Sequence, residues 1–181
     1  QSFHENKETA WRLINNFFNL FLLALLFLCG LGFLLTPWLI DFIVPGFDSN
    51  AKQQAIQLTR LLFLSPIFFG GVGLFSGLLQ YFNKFIVLAI SPLVYNLFII
   101  LSILFLSPRF GIFGVGLGVV LGAMVYFCLQ LAASFFCGFR WQAILDWKDP
   151  GVGRVARLML PRCLAAASQQ INLLVTTSLA S

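Results

Sequence analysis

The chain contains long apolar runs without a charged side chain. Two of them, 93–106 and 111–130, follow each other across the short sequence SPRFG at 107–111. Each run, with its flanks, supplies the roughly 20 apolar residues that cross a hydrocarbon core. Proline stops the first helix and glycine permits a reversal before the second. The pattern predicts a transmembrane helical hairpin.

The composition points to the same class. Of 181 residues, 60% are hydrophobic and 9% are charged, whereas soluble domains average about 45–50% and about 25%. Lipid cannot satisfy open strand edges, and the runs are unbroken rather than alternating, which favours helices over a barrel. We therefore predict an all-α integral membrane protein, a polytopic transmembrane helix bundle with about five spans in this chain.

The first part of the chain divides into a polar start and four spans. Residues 1–12 are polar and form a predicted cytoplasmic lead-in. Residues 13–139 hold four apolar segments. Because the chain begins with Gln1 rather than methionine, we expect it to be a piece of a larger protein.

The second part has one polar interruption and a fifth apolar segment. Residues 140–157 are polar, and Trp141, Ile144 and Trp147 share one side of a helix, which predicts a cytoplasmic connector with an amphipathic helix on the membrane surface. Asp149-Pro150-Gly151 is predicted to end that helix. Residues 158–181 form a further predicted span with more polar side chains than the others.

Basic residues predict the orientation. With a cytoplasmic start, five crossings place eight cations inside: Lys7, Arg12, Lys84, Arg140, Lys148, Arg154, Arg157 and Arg162. Three remain outside: Lys52, Arg60 and Arg109. This is the bias of the positive-inside rule. The net charge of +5 is therefore attributed to the orientation in the membrane, and no nucleic-acid partner is predicted.

Glycines at intervals of four predict close helix packing. Gly73 and Gly77 form one small-xxx-small pair, and Gly114, Gly118 and Gly122 form a longer ridge. The alternatives are a phosphate cradle for the first set and a dinucleotide loop for the second. They are disfavoured, because no strand precedes the first set, no lysine follows it, and the second does not match GxGxxG.

The sequence does not predict an enzyme. The sole histidine, His4, lies in the polar lead-in, and the predicted spans hold no Asp or Glu. A membrane hydrolase or transferase would need an activated nucleophile, a metal or paired carboxylates. The four cysteines lack CxxC spacing and are interpreted as packing residues rather than as a disulfide or metal site. No cofactor and no metal are predicted.

Seven short motifs in order carry a family resemblance. They are PGFD at 45–48, LTRLLFLSP at 58–66, GLLQYFNKF at 77–85, SPLVYNLFII at 91–100, PRFGIFGVGLGVVLGA at 108–123, LMLPR at 158–162 and SQQIN…LAS at 168–181. The chain resembles the MurJ/MviN family of lipid II flippases, within the multidrug/oligosaccharidyl-lipid/polysaccharide exporter superfamily. The resemblance implies that 13–139 are four helices of the N-terminal lobe of a two-lobe transporter. It also implies that 158–181 are the first helix of the C-terminal lobe.

The resemblance implies a function in peptidoglycan biosynthesis, and so in cell wall biogenesis and cell shape. Such a protein lies in the bacterial inner membrane. It moves the undecaprenyl-pyrophosphate-linked peptidoglycan precursor to the outer leaflet by alternating access. The implied partners are this precursor, the lipid bilayer and the remaining helices of the same transporter. The alternatives are a polysaccharide-lipid flippase or multidrug exporter of the same superfamily, or a non-transporting membrane scaffold.

The last segment holds the substrate-cavity candidates. The family's main cationic residues lie on helices outside this chain, so none is carried over. Gln169, Asn172 and Thr176 recur at steps of three and four, forming a polar stripe for interhelical hydrogen bonds or for an aqueous cavity. Arg162 follows Pro161 and is either a cavity-mouth contact for pyrophosphate or a headgroup anchor.

Overall fold

The computed structural model describes residues 2–44, 46, 48–155, 157–159, 161 and 168. It contains α1 (Ser2–Ile43), α2 (Ser49–Leu62), α3 (Ser65–Tyr81), α4 (Phe85–Phe105), α5 (Ser107–Phe110) and α6 (Ile112–Phe136). Further helical residues lie at 150–155 and 157–159, and the described residues include no strand. The all-α prediction is confirmed.

Four helical stretches are long and apolar enough to cross a membrane: Ala10–Ile43, Ser49–Tyr81, Phe85–Phe105 and Ile112–Phe136. Their apolar side chains face outward to a large extent, with Phe27 71% and Ile86 76% exposed. Such exposure is expected where the surrounding medium is hydrocarbon or further helices rather than water. The predicted span at 158–181 lies almost entirely outside the described residues.

The second span is interrupted just before Pro66. α2 ends at Leu62, and α3 begins at Ser65 with Pro66 in its first turn. Proline is tolerated there because the first amide groups of a helix have no partner within it. Ser49–Tyr81 is therefore two helices in one span.

Residues with positive φ end two of the helices. Asn83 (φ 55°) follows α3, and Lys84 N–H donates to Leu79 O at 2.9 Å. Gly138 (φ 92°) follows α6 with the same hydrogen-bond pattern, since Phe139 N–H donates to Ser134 O at 3.1 Å. Both are Schellman motifs, which satisfy the last carbonyl groups of a helix.

The chain divides into two compact units, one of residues 1–17 with 142–181 and one of residues 18–141. In the larger unit, α6 packs against α4 and α3. Phe75 lies in its core, 2% exposed, with its ring centroid 5.3 Å from Phe18, 5.7 Å from Phe127 and 5.3 Å from Phe139. This aromatic cluster links α1, α3, α6 and the residues after α6.

The predicted surface helix in the connector is not formed. Residues 139–146 have no helix, 147–148 form a turn, and helix begins at Pro150. Asp149 precedes it, and Gly151 N–H donates to Asp149 Oδ1 at 2.8 Å. Aspartate before proline is a typical helix start, because the carboxylate accepts from a free amide and proline fits the first turn. The sequence analysis interpreted Asp149-Pro150 as a helix stop, and this was wrong.

Candidate functional site

In the smaller unit, Asn16 binds the connector backbone. Its Oδ1 accepts from Asp146 N–H at 2.8 Å, and its Nδ2 donates to Asp146 O at 2.9 Å. The same Nδ2 donates to Asp149 Oδ2 at 3.3 Å. Asn16 is fully buried. A neutral amide can donate and accept at once, so Asn16 pairs with both backbone groups of a residue that has no helix or sheet partner.

Asn15 binds the same segment at a second point. Its Oδ1 accepts from Gln142 N–H at 2.8 Å, and its Nδ2 donates to Trp11 O on its own helix at 2.9 Å. Asn15 is also fully buried. Residues 142–146 form no helix, and two of their amide groups donate to α1 side chains instead.

In the larger unit, the indole N–H of Trp141 makes a hydrogen bond to a side chain of α1. Its Nε1–H donates to Asn19 Oδ1 at 3.0 Å. The ring is 57% exposed. A tryptophan with a bound N–H and an exposed ring is typical of a membrane interface. Trp141 is therefore exposed without the predicted helix, and its place at the membrane interface stays a prediction.

The ridge of Gly114, Gly118 and Gly122 lies on the buried side of α6. A Cβ on Gly114 would lie 2.6 Å from Leu106 O, one on Gly118 would overlap Ser102, and one on Gly122 would lie 3.0 Å from Tyr95 O. Ser102 Oγ also donates to Gly114 O at 2.5 Å. The small residues here bring the α4 and α6 backbones together.

Gly73 and Gly77, unlike the glycines of α6, do not pack against another of the described helices. Both are exposed, and no atom lies within 4 Å of a Cβ added at either position. The described residues do not bring this pair against a neighbouring helix. Gly71 on α3, which the sequence analysis did not select, is buried, and its Cβ would overlap the ring of Phe127.

A buried amide on α6 was missed by the sequence analysis. Gln130 is fully buried, and its Oε1 accepts from Ser76 Oγ on α3 at 2.9 Å. Its Nε2 has no hydrogen-bond partner. The sequence could have indicated this burial, because Gln130 lies on the same row of the helix as the glycine ridge. That row runs at steps of four through 114, 118, 122, 126, 130 and 134.

Near the end of α1, Arg60 of α2 donates a hydrogen bond to a backbone carbonyl of α1. Pro37 lacks an N–H, so the carbonyl of Phe33, four residues earlier, has no intrahelical donor. Arg60 Nε donates to Phe33 O at 3.4 Å, and the guanidinium carbon lies 4.9 Å from the centroid of the Phe33 ring. An exposed ion pair joins Lys52 Nζ to Asp41 Oδ1 at 2.8 Å nearby in the chain.

The four substrate-cavity candidates, Arg162, Gln169, Asn172 and Thr176, lie outside the described residues. Among the residues that are described, no group of three His, Cys, Asp or Glu side chains is placed to hold a metal. Cys29, Cys128 and Cys137 are free thiols. Several of the described polar groups, such as Asn16, Ser102 and Ser76, make hydrogen bonds between elements.

Four apolar helical spans, small residues between helices and polar contacts near helix ends define a polytopic helical membrane protein. The sequence model of the family described as "Lipid II flippase MurJ" matches residues 1–181. The chain belongs to this family. The family name describes a lipid transporter rather than an enzyme, in agreement with the sequence prediction.

Individual relatives carry the same family name. The chain is 30% identical over 146 residues to "Probable lipid II flippase MurJ" of Haemophilus influenzae, covering 80% of the chain and 29% of the relative. It is 33% identical over 146 residues to the protein of the same name from Vibrio cholerae, covering 80% and 28%. It is 26% identical over 192 residues to that from Rickettsia prowazekii, covering 99% and 37%. The chain thus spans about a third of the length of these relatives or less.

Proposed function

We propose that the protein to which this chain belongs is a lipid II flippase of the bacterial inner membrane. It moves the undecaprenyl-pyrophosphate-linked peptidoglycan precursor from the cytoplasmic to the outer leaflet by alternating access. The observation that carries this proposal is the match of the flippase family model to residues 1–181. The four apolar helical spans support it, because such a carrier must be embedded in the bilayer.

Moving the lipid-linked precursor across the bilayer requires more than these helices. A bulky anionic head group must pass a low-dielectric layer, so the carrier needs a hydrated, cationic cavity that opens to one side at a time. We propose that remaining helices of the same transporter complete this cavity. The outward-facing apolar side chains of α1 and α4 are suited to contact such helices or lipid.

The contacts in the smaller unit support the proposed orientation. The start of α1 binds the segment after α6, and four spans lie between them in the chain. An even number of crossings returns the chain to the side from which it started. With the predicted excess of basic residues on that side, this end is cytoplasmic.

The stripe of Gln169, Asn172 and Thr176 is proposed to line the aqueous cavity, with Arg162 near its cytoplasmic mouth. Asn172→Cys in the native gene product should react with a small hydrophilic thiol reagent, and added precursor should protect it. Leu174→Cys, on another helix face, is the matched control and should stay unreactive. Equal behaviour of the two positions would leave interhelical hydrogen bonding as the role of the stripe.

The function itself is tested by complementation. The native gene product should restore growth and cell shape to a bacterium depleted of its lipid II flippase. A vesicle assay with purified protein should then show transbilayer movement of lipid II. Movement of a polysaccharide-linked lipid instead would favour another branch of the superfamily, and movement of neither lipid would favour a scaffold.

A further inference from the structure

The segment 142–151, here called the anchored segment, has an unusual set of backbone partners. Its residues before Pro150 form no helix or strand, yet Gln142 N–H and Asp146 N–H each donate to a buried asparagine of α1. Asp146 O also accepts from Asn16 Nδ2. Two buried side chains of α1 thus replace part of the secondary structure of this segment.

The segment is fixed at its far end as well. The carboxylate of Asp149 accepts from Asn16 Nδ2 through Oδ2 and from Gly151 N–H through Oδ1. It therefore joins α1 to the first turn of the helix at 150–155. A Cβ on Gly151 would lie 2.5 Å from Leu13 Cδ1, so the backbone of this turn packs directly on α1.

We propose that Asn15 and Asn16 act as positioning residues that keep the anchored segment fixed to the start of α1 throughout the transport cycle. This inference rests on the proposed function, in which the chain after this segment enters the second lobe. The anchored segment then moves together with the start of α1, and movement relative to the second lobe begins after Gly151. A flexible tether would not need two fully buried amides matched to its backbone.

The alternative is a latch whose amide contacts open in each cycle. Leu13 and Gly151 distinguish the two cases, because a side chain added at Gly151 meets the side chain of Leu13, so cysteines at both positions can be tested for a disulfide. Gly151 has no positive φ, so cysteine fits its backbone. The experiment uses the native gene product with its own cysteines replaced and a protease site inserted between α1 and α2. Leu13→Cys and Gly151→Cys then lie on separate fragments unless they are crosslinked.

Transport of lipid II in reconstituted vesicles is measured with the pair oxidised and with the pair reduced. A fixed segment predicts rates within about twofold of each other, whereas a latch predicts at least about a tenfold loss on oxidation that reductant reverses. The second result would overturn the proposal.

The role of the asparagine is measured through the rate of disulfide formation. Asn16→Leu should lower this rate about fivefold, because it removes the hydrogen bonds that hold the segment in place. Asn96→Leu is the matched control, since Asn96 is exposed and its Nδ2 donates to Pro92 O of its own helix. An unchanged rate in Asn16→Leu would overturn the anchoring role.

The two proposals fail separately. If neither redox form moves lipid II and the unaltered native gene product does not move it either, the proposed function is wrong. The crosslinking rates of the Asn16→Leu and Asn96→Leu variants still decide whether the asparagines position the segment.

Discussion

The two ends of α1 are held by different chemistry. At its start, buried neutral amides of Asn15 and Asn16 bind backbone groups of the connector. Near its end, an exposed ion pair joins Asp41 to Lys52, and Arg60 lies over Phe33. Burying an ion costs far more than burying an amide that is fully hydrogen-bonded. The fully buried side chains here are neutral amides, and the Lys52–Asp41 ion pair is exposed.

This difference predicts unequal contributions to stability. Removing a buried hydrogen-bonding group leaves its partners unsatisfied, at about 1–3 kcal/mol for each partner. An exposed ion pair contributes about 0–1 kcal/mol. The Asn15 and Asn16 contacts should thus be more sensitive to substitution than the Asp41–Lys52 ion pair.

The largest expected effect is in accessibility, because we propose that Ser49 and Gly153 lie on opposite sides of the membrane. Ser49→Cys should react with a membrane-impermeant thiol reagent on intact cells, and Gly153→Cys should not. Both positions are exposed and helical, whereas Gly151 contacts Leu13, so Gly153 is the matched probe. The reverse pattern would invert the orientation, and labelling at both positions would change the number of crossings.

The next effect is on stability at the start of α1. Asn16→Leu keeps the shape of the side chain but leaves Asp146 N–H and O without their partner, which should lower the free energy of unfolding by at least about 2 kcal/mol. Denaturant unfolding of the detergent-solubilised native gene product measures it. Asn96→Leu should cost less than about 0.5 kcal/mol. Similar losses for both variants would mean that the connector contacts add nothing beyond the side-chain change.

A smaller effect is expected at Arg60. Arg60→Met removes the donor to Phe33 O and the contact with the Phe33 ring, at about 1 kcal/mol. Pro37→Ala restores an N–H in α1 that can reach the same carbonyl, so Arg60→Met should cost roughly half as much in that background. A double-mutant cycle of unfolding free energies measures the coupling. Additive losses would show that the proline-freed carbonyl is not what Arg60 satisfies.

The smallest effect is expected for the ion pair. Lys52→Gln should change the free energy of unfolding by less than about 0.5 kcal/mol, because Asp41 is 62% exposed and remains hydrated. Unfolding at low and at high salt checks this, since screening should weaken what little the pair contributes. A loss as large as that of Asn16→Leu would reverse the comparison between the two ends.

The sequence by itself determined the spans and several of their ends. Hydrophobic run length is a local property, so the four apolar segments appear in the structure as α1, α2 with α3, α4 and α6. The reversal at SPRFG was also predictable, because Gly111 has φ 58° and ψ −138°, a conformation that favours glycine. The glycine ridge of α6 was predictable from its spacing.

The tertiary structure decided what each pattern contacts. Gly73 and Gly77 have the same spacing as Gly114 and Gly118, yet the first pair is open and the second lies against α4. Spacing selects a helix face, but the packing of other helices decides whether that face is covered. The connector is the clearest case, because the side-chain amide of Asn16, 130 residues earlier in the chain, binds the backbone of Asp146 where a helix was predicted. Amphipathic spacing describes only neighbours in sequence, and these hydrogen-bond partners are neighbours only in space.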